Sequence, residues 1–206
     1  MERGPALAAV ARRRLAAYPA AEVVTAGFEE WAPPGAPHDA VVCATAFHWL
    51  DPALRVPKAA GVFRPGGLLA LVTTRHVAGG TEDFFTRVQR RCERWVPGTP
   101  PALRLRAETE VATDTSELER SPLLGPPLGP LLGPVAVTRH PQEIGSTAAH
   151  FDLLCTFSNH RALAPAAREG LPSCVRELID ARHGGRGVKR ALHELITAPR
   201  TASAAD

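Results

Sequence analysis

Two short apolar runs stand out in the pattern of hydrophobic and polar positions along the chain. Residues 40–44 and residues 68–72 are apolar at every position. Runs of this length and composition are typical of strands that are buried on both faces, as in parallel sheets covered by helices. Because parallel strands need a crossover connection, the two runs predict a strand, helix, strand unit with a right-handed crossover.

The segment between the two runs carries the signals of that helix. Asp51 can cap a helix and Pro52 suits its first position, so we expect a helix over residues 52–62. Pro57 is expected to kink or shorten this helix, because proline lacks a backbone donor. The sequence Arg-Pro-Gly-Gly at residues 64–67 then predicts the turn into the second strand.

The N-terminal region shows a helical pattern followed by a short strand pattern. Pro5 suits a first helical position, and apolar residues then recur with helical period at Leu7, Val10, Ala11 and Leu15. Residues 22–26 have the composition of a short strand, and residues 27–31 follow it as a turn. We therefore expect one helix and one strand before the central unit.

From Thr81 onward the pattern predicts a long helix with one apolar face. Thr81 is expected to cap this helix, and the acidic residues Glu82 and Asp83 in its first turn are favourable against the helix dipole. The apolar stripe consists of Phe84, Phe85, Val88, Cys92 and Trp95. Packing of the stripe on the sheet is the favoured interpretation, and a lid over a ligand is the alternative.

The remaining segments are less regular. Residues 121–134 nearly repeat Leu-Gly-Pro, and their prolines exclude a helix interior or a central strand, so we expect a low-complexity surface insertion. A strand is predicted over residues 135–139, and helices over residues 146–158 and 172–182. Residues 187–197 fit either a helix, by their apolar spacing, or a last strand, by their place after a Gly-Gly pair.

Composition and charge change this picture little. The chain has 206 residues, a formal charge of +3 and 22% charged residues, which is ordinary for one globular domain. The basic excess is almost entirely arginine, and no basic stripe with interleaved aromatics is present, so nucleic acid is disfavoured as a partner. No apolar run approaches a membrane span and no signal-peptide pattern is present, so we expect a soluble, cytoplasmic protein with no membrane partner.

The four cysteines do not form a recognisable site. They are far apart in the sequence, without a C-x-x-C pair or clustered histidines, at Cys43, Cys92, Cys155 and Cys174. This spacing predicts reduced and mostly buried thiols, with neither a metal site nor a disulfide framework.

The best candidate for a functional site lies where the first central strand ends. In parallel sheets, ligands bind outside the carboxyl ends of the strands. Here that end is residues 43–49, where small residues leave room for a ligand and are followed by two aromatic residues and a histidine.

In combination, these segments resemble the class I S-adenosylmethionine-dependent methyltransferases, in particular the small-molecule branch that includes trans-aconitate methyltransferase-like proteins. Phe-Glu-Glu-Trp at residues 28–31 resembles the turn beside the cofactor adenine in that branch. The strand that opens with His-Asp at residues 38–39 and runs into Ala-Phe-His-Trp-Leu-Asp at residues 46–51 is the most specific match. Arg-Pro-Gly-Gly-Leu at residues 64–68 resembles the turn into the fifth strand of the family.

The resemblance implies an α/β fold with a partial, Rossmann-like and mostly parallel sheet flanked by helices. The first strand of the family and its glycine-rich loop would lie upstream, so the chain resembles a methyltransferase that is truncated at its N-terminus. The whole of residues 1–206 would be one partial domain. Residues 1–75 would form its cofactor side and residues 80–183 its substrate side, with residues 187–197 as a possible last strand.

The resemblance also implies roles for individual residues, with S-adenosyl-L-methionine as the cofactor. Glu2 would fall where the family has its ribose-binding acid, although it would be poorly held so near a terminus. The other cofactor-binding candidates are Phe28, Glu29, Ala44, Thr45 and Ala46. His48 and Trp49 would face the substrate as catalytic residues; a structural histidine, core packing of Trp49 and a solvated turn at Glu29 are the alternatives.

Three functions are compatible with these motifs. The first is methyl transfer to a small-molecule acceptor. The second is a non-catalytic remnant that acts as an interaction module, with self-association through the sheet edge that a missing strand would expose. The third, a nucleotide-dependent oxidoreductase on the same type of sheet, is disfavoured because the sequence contains no G-x-G-x-x-G.

Overall fold

A computed structural model describes residues 1–33, 35–99, 101, 105–125, 135–146, 163–182 and 187–201. The helices are α1 (Pro5–Leu15), α2 (Arg55–Val62), α3 (Glu82–Trp95), α4 (Ser116–Glu119) and α5 (Pro165–Arg182). The strands are β1 (His38–Ala44), β2 (Phe63–Gly80), β3 (Ala136–Ser146) and β4 (Gly187–Pro199). Short 3-10 turns cover Phe47–Trp49 and Glu108–Glu110. Helices and a four-stranded open sheet thus make up the α/β fold that the sequence predicts.

The strands form one sheet in the order β1-β2-β4-β3. β1 and β2 run parallel, with Ala40 opposite Leu68 and Ala44 opposite Val72, so the predicted strand, helix, strand unit is confirmed. The pairing slips between His38 and Ala40, where residues 64–67 of β2 bulge out. The predicted Arg-Pro-Gly-Gly turn is therefore a bulge within a longer strand, and Gly66 adopts a positive φ of 71° inside it.

The prediction that β1 is buried on both faces is wrong. Val41 and Cys43 are half-buried against the core, whereas the side chain of Val42 is 68% exposed. Among the described residues, no strand pairs with the second edge of β1, and Ala40, Val42 and Ala44, which share one face of the strand, are all exposed. The apolar run in the sequence therefore marks a strand of the sheet correctly but overstates its burial.

The N-terminal region follows the prediction only in part. Pro5 occupies the first position of α1, as expected. However, the apolar residues of this helix mostly face outward, and Leu7 is 59% exposed while Ala8 is buried. Residues 22–26 do not form the predicted strand; within them Thr25 makes an isolated parallel bridge with Glu2.

The helix α2 begins later than predicted. The Asp51 carboxylate accepts a hydrogen bond from the N–H of Ala53 at 2.8 Å, which closes a turn instead of capping a helix. The helix then starts at Arg55 and places Pro57 in its first turn. Because the N–H groups of a first turn have no partner within a helix, Pro57 removes no hydrogen bond and does not kink the helix.

Contacts divide the chain into two compact units. Unit 1 comprises the described residues within 1–73, 114–138 and 194–206, and unit 2 those within 74–113 and 139–193. The core of unit 1 joins α2 and β2 to the end of β4 and surrounds Phe63 and Leu69, which are both fully buried. It is completed by Val56, Ala59, Ala60, Leu71, Leu118, Leu124, Ile196 and Ala198.

In unit 2, α3 packs against α5. Phe84 contacts the buried face of α5, and Phe85, Val88, Cys92 and Trp95 complete the contact, so the stripe is a packing surface on a helix and not on the sheet as predicted. The Thr81 side chain does not cap α3. Instead, its hydroxyl accepts a hydrogen bond from the N–H of Val188 at 3.2 Å.

Of four further predictions, two concern residues that the structure describes in full and two concern residues that it describes only in part. The predicted helix 172–182 is longer and begins at Pro165, which suits a first helical position, so Pro172 lies inside it. The ambiguous residues 187–197 form strand β4. Of the Leu-Gly-Pro segment, Leu124 is buried and bridges to Arg200, which contradicts a surface insertion there. Residues 126–134 of this segment and most of the predicted helix 146–158 lie outside the described residues.

Within the part of the chain that the structure describes, no helix has the length and apolar character needed to cross a membrane.

Candidate functional site

Unit 1 contains a cavity of about 900 Å³ beside the carboxyl end of β1. One wall is formed by residues 1–3 and by positions within residues 20–32. The other wall is formed by β1 and the segment 46–50, and the floor by the buried side chains of Ala59, Val62 and Leu69. A volume of this size lies within the usual range for small-molecule sites.

The cavity reaches the edge of β1 that has no partner strand among the described residues. Val41, Val42 and Cys43 all line it, although consecutive side chains of a strand point to opposite faces. A cavity that touches all three must therefore reach the edge of the strand. Backbone N–H and C=O groups on that edge of β1 can therefore form hydrogen bonds with a ligand in the cavity.

Glu2 lies in the cavity wall and is held more firmly than its place near the terminus suggests. Its backbone N–H donates to the carbonyl oxygen of Val24 at 2.9 Å, and its carbonyl oxygen accepts from the N–H of Ala26 at 3.2 Å. Its Oε1 accepts from the N–H of Gly4 at 2.7 Å, just before α1 begins. The described residues leave Oε2 available for a ligand hydroxyl.

Phe28 and Glu29 line the cavity from the turn 27–31. The turn is closed by a hydrogen bond from the N–H of Trp31 to the carbonyl oxygen of Gly27 at 3.0 Å, and the rings of Phe28 and Trp31 stack 6.4 Å apart. Glu29 is more than a solvated turn residue, because its Oε1 accepts from the N–H of Asp51 at 3.2 Å.

The three residues after Cys43 are placed differently from one another. Ala46 lines the cavity, whereas Ala44 and Thr45 do not. Thr45 has a positive φ of 51°, an unfavourable conformation for a β-branched residue, and its N–H donates to the carbonyl oxygen of Val72 at 2.7 Å. The chain thus leaves the sheet sharply at Thr45, and this brings the next segment over the cavity.

His48 and Trp49 lie side by side on the 3-10 turn that follows. Trp49 lines the cavity but is 76% exposed, so it does not pack in the core. His48 is exposed, does not line the cavity, and has its ring centre 4.9 Å from that of Trp49. The catalytic roles assigned to these two residues remain predictions.

Two cations of α2 that the sequence analysis assigned no role contact the segments around the cavity. The Lys58 amine lies 5.5 Å from the centre of the Phe28 ring, and the Arg55 guanidinium lies 5.0 Å from that of Phe47. The sequence gives one indication of these contacts. Arg55 and Lys58 are three residues apart, and this spacing places two side chains on one face of a helix.

Cys43 is the nucleophilic side chain that lines the cavity, and its surroundings do not activate it. Burial raises the pKa of the Cys43 thiol above its ordinary value, and a backbone hydrogen bond with Ala46 opposes this rise in part. A raised pKa leaves less thiolate at neutral pH, and the thiolate is the reactive form.

We therefore expect slow alkylation of Cys43. With iodoacetamide, its rate should still rise above pH 9, because the thiolate fraction grows until the pH passes a pKa that lies above the ordinary value of about 8.5. Peptide mass spectrometry between pH 7 and pH 10 measures the rate, with a short unstructured peptide that carries one cysteine as the reference thiol. A rate for Cys43 that levels off at lower pH than the reference rate would contradict the raised pKa.

No group of histidine, cysteine and acidic side chains among the described residues could hold a metal ion.

Comparisons with known proteins give sequence matches over a short stretch and structural matches over most of the chain. No family profile matches the chain. Uncharacterized methyltransferases of Mycobacterium tuberculosis and Mycobacterium bovis are 59% identical to it over 34 residues, which is 16% of this chain and 14% of each relative. The chain thus matches only a small part of the length of these relatives.

Among solved structures, a Bacillus halodurans protein provisionally classed as a methyltransferase aligns with 98% of this chain and 81% of its own length, at 16% identity and a TM-score of 0.50. An Anaeromyxobacter dehalogenans protein, provisionally classed as a type II methyltransferase, covers 89% of this chain and 73% of its own at 21% identity, with a TM-score of 0.49. Identities this low inform on the fold alone, and the first of these matches carries that inference. The chain has the fold of the class I S-adenosylmethionine-dependent methyltransferases, which the motifs in its sequence predict.

Proposed function

We propose that this chain binds S-adenosylmethionine in the cavity of unit 1 and transfers its methyl group to a small-molecule acceptor. The observation that supports this proposal most directly is that five of the predicted site residues border one cavity. They are Glu2, Phe28, Glu29, Ala46 and Trp49. They come from three separate segments of the sequence, so their meeting is a property of the fold and not of chain proximity.

The chemistry of the lining fits this cofactor. The Phe28 ring offers a flat apolar surface for a purine base, and the Glu2 carboxylate can accept hydrogen bonds from ribose hydroxyls. Half-buried Val41 and Cys43, together with Ala46, provide an apolar and uncrowded wall. When bound, S-adenosylmethionine would supply an electrophilic methyl group; its transfer to an acceptor atom would break the carbon–sulfur bond, with S-adenosylhomocysteine as the leaving group.

The residues of the chain would contribute mainly by position. Trp49 is the exposed aromatic residue of the wall, so it can shield part of the reacting atoms from water. His48 stands next to it and could take a proton from an acceptor hydroxyl or amine. The cavity would hold cofactor and acceptor together, which is the dominant contribution in a transfer of this type.

Calorimetric titration with S-adenosylhomocysteine tests the proposal. We expect one binding event per chain for the native protein. The Phe28→Ala change should weaken binding about tenfold or more, because the stacking of a base on an aromatic ring contributes about 1–3 kcal/mol.

Tyr18→Ala is the matched control, since Tyr18 is an exposed aromatic residue that does not line the cavity. Its affinity should equal that of the native protein. An absence of heat at millimolar ligand for the native protein, or equal losses for the two variants, would contradict the assignment of this cavity.

A second candidate function, an interaction module that associates with itself, is favoured by one observation. The second edge of β1 has no partner strand among the described residues, and exposed Val42 lies on that strand. A bare apolar edge can pair with the edge of a second copy. Light scattering that gives the mass of one chain at high protein concentration would contradict this candidate.

A further inference from the structure

Lys58 makes two contacts with the turn 27–31. Its Nζ donates a hydrogen bond to the carbonyl oxygen of Glu29 at 2.7 Å. The same ammonium group lies 5.5 Å from the centre of the Phe28 ring, within the range of a cation–π interaction. One cation therefore fixes both the backbone of the turn and the ring that faces the cavity.

Arg55 makes the equivalent contacts with the segment 46–51. Its guanidinium donates to the carbonyl oxygen of Phe47 at 3.2 Å and lies 5.0 Å from the centre of the Phe47 ring. Its Nε donates to Glu117 Oε1 at 2.8 Å, and the two side chains form an ion pair. The carboxylate of Glu117 thereby holds the planar guanidinium in one orientation.

The helix that carries both cations is anchored in the core of unit 1. Val56, Ala59 and Ala60 of α2 are buried. The two segments are also linked directly, because the N–H of Asp51 donates to the Glu29 carboxylate at 3.2 Å. Movement of either segment relative to α2 would break a charged hydrogen bond and a ring contact at once.

From this geometry we propose that Arg55 and Lys58 form a positioning pair, which holds the rings of Phe28 and Phe47 in place at the cavity. Neither cation lines the cavity, whereas both rings do, so the cations act through other residues and not on a ligand. The positioning pair rests on the proposed function only for the identity of the ligand. Its effect on the two segments is a property of the ligand-free chain.

The first arm of the test measures amide hydrogen exchange without ligand. In Lys58→Met, the amides of residues 27–31 should exchange about tenfold faster, and in Arg55→Met those of residues 46–51 should do so. Amides of residues 68–72 in β2 should keep their native rates in both variants. Equal rates in variant and native protein, or equal acceleration in β2, would overturn the proposal.

The second arm measures affinity for S-adenosylhomocysteine by calorimetry. Lys58→Met should weaken binding about tenfold, while Lys58→Arg, which keeps the cation and its donors, should remain within about threefold of the native protein. Arg13→Met removes an exposed cation from α1 and should leave the affinity unchanged. A purely structural role would instead lower the stability of Lys58→Met without a selective loss of affinity, and this result would also overturn the proposal.

The two arms separate the two claims. If the native protein binds no S-adenosylhomocysteine, the proposed function fails, and the exchange rates alone decide whether the positioning pair exists. If the native protein binds the ligand but the exchange rates of the variants are native, the positioning pair fails and the proposed function stands.

Discussion

Replacing Phe63 by alanine is expected to lower the free energy of unfolding by about 3–5 kcal/mol, a typical loss for a fully buried phenylalanine. Phe63 stands where α2 ends and β2 begins, and its side chain is completely buried in the core of unit 1. Since small proteins are stable by only about 5–15 kcal/mol, this single change removes a large share of the total. Urea unfolding followed by circular dichroism measures the loss.

Two further variants test whether the loss of stability in Phe63→Ala arises from the burial of this side chain. Phe63→Leu keeps most of the apolar volume and should lose about 1.5 kcal/mol or less, so it reports on the site even if the alanine variant does not fold. Leu7→Ala removes an apolar side chain that is 59% exposed and should change stability by about 0.5 kcal/mol at most. A loss below about 1 kcal/mol for Phe63→Ala would show that the core is not centred on this ring.

Gly67→Ala is expected to destabilise the protein by about 1–3 kcal/mol through overpacking at the junction of β1 and β2. A Cβ atom at this position would lie 2.7 Å from the carbonyl oxygen of Asp39 and 2.8 Å from that of Arg64. The first oxygen belongs to the backbone of β1 and the second to the backbone of the bulge in β2, so neither can move aside as a flexible side chain would. The same unfolding experiment measures the loss.

Gly61→Ala provides the matched control for Gly67→Ala. An added Cβ at Gly61 meets no atom within 4 Å, and the residue lies in the helix α2. Alanine there should raise stability by about 0.5–1 kcal/mol, because glycine is a poor helix former. If both variants gained stability or both lost it, the tight backbone contact at Gly67 would not explain the stability change of Gly67→Ala.

The parts of the fold that the sequence predicts well are those with local signals. Two apolar runs and the Arg-Pro-Gly-Gly motif are sufficient for the parallel pairing of β1 with β2, and Pro5 marks the start of α1. Strand β4 could not be assigned in this way, because its apolar residues also fit helical spacing. Its conformation depends on its place between β2 and β3 in the sheet, which is a tertiary property.

The sequence predicts several residues that line the candidate site, but not the residues that contact them from outside the cavity. Motifs place Phe28 and Ala46 near one sheet edge, and the structure brings both to the cavity. The contacts of Arg55 and Lys58 with Phe47 and Phe28 could not be predicted, because only the folded chain brings these residues together. The sequence also predicts the wrong first residue for α2, because Asp51 can close a turn as readily as it caps a helix.

The distribution of the three tryptophans has a practical consequence for work on this protein. Trp31 and Trp49 border the cavity, while Trp95 packs between α3 and α5 in unit 2, where its indole N–H has no hydrogen-bond partner among the described residues. Replacing Trp95 by phenylalanine thus removes no described hydrogen bond, and the remaining tryptophan fluorescence arises only from residues that border the cavity. Their fluorescence then gives an unlabelled optical signal with which the proposed binding of a ligand in the cavity can be measured.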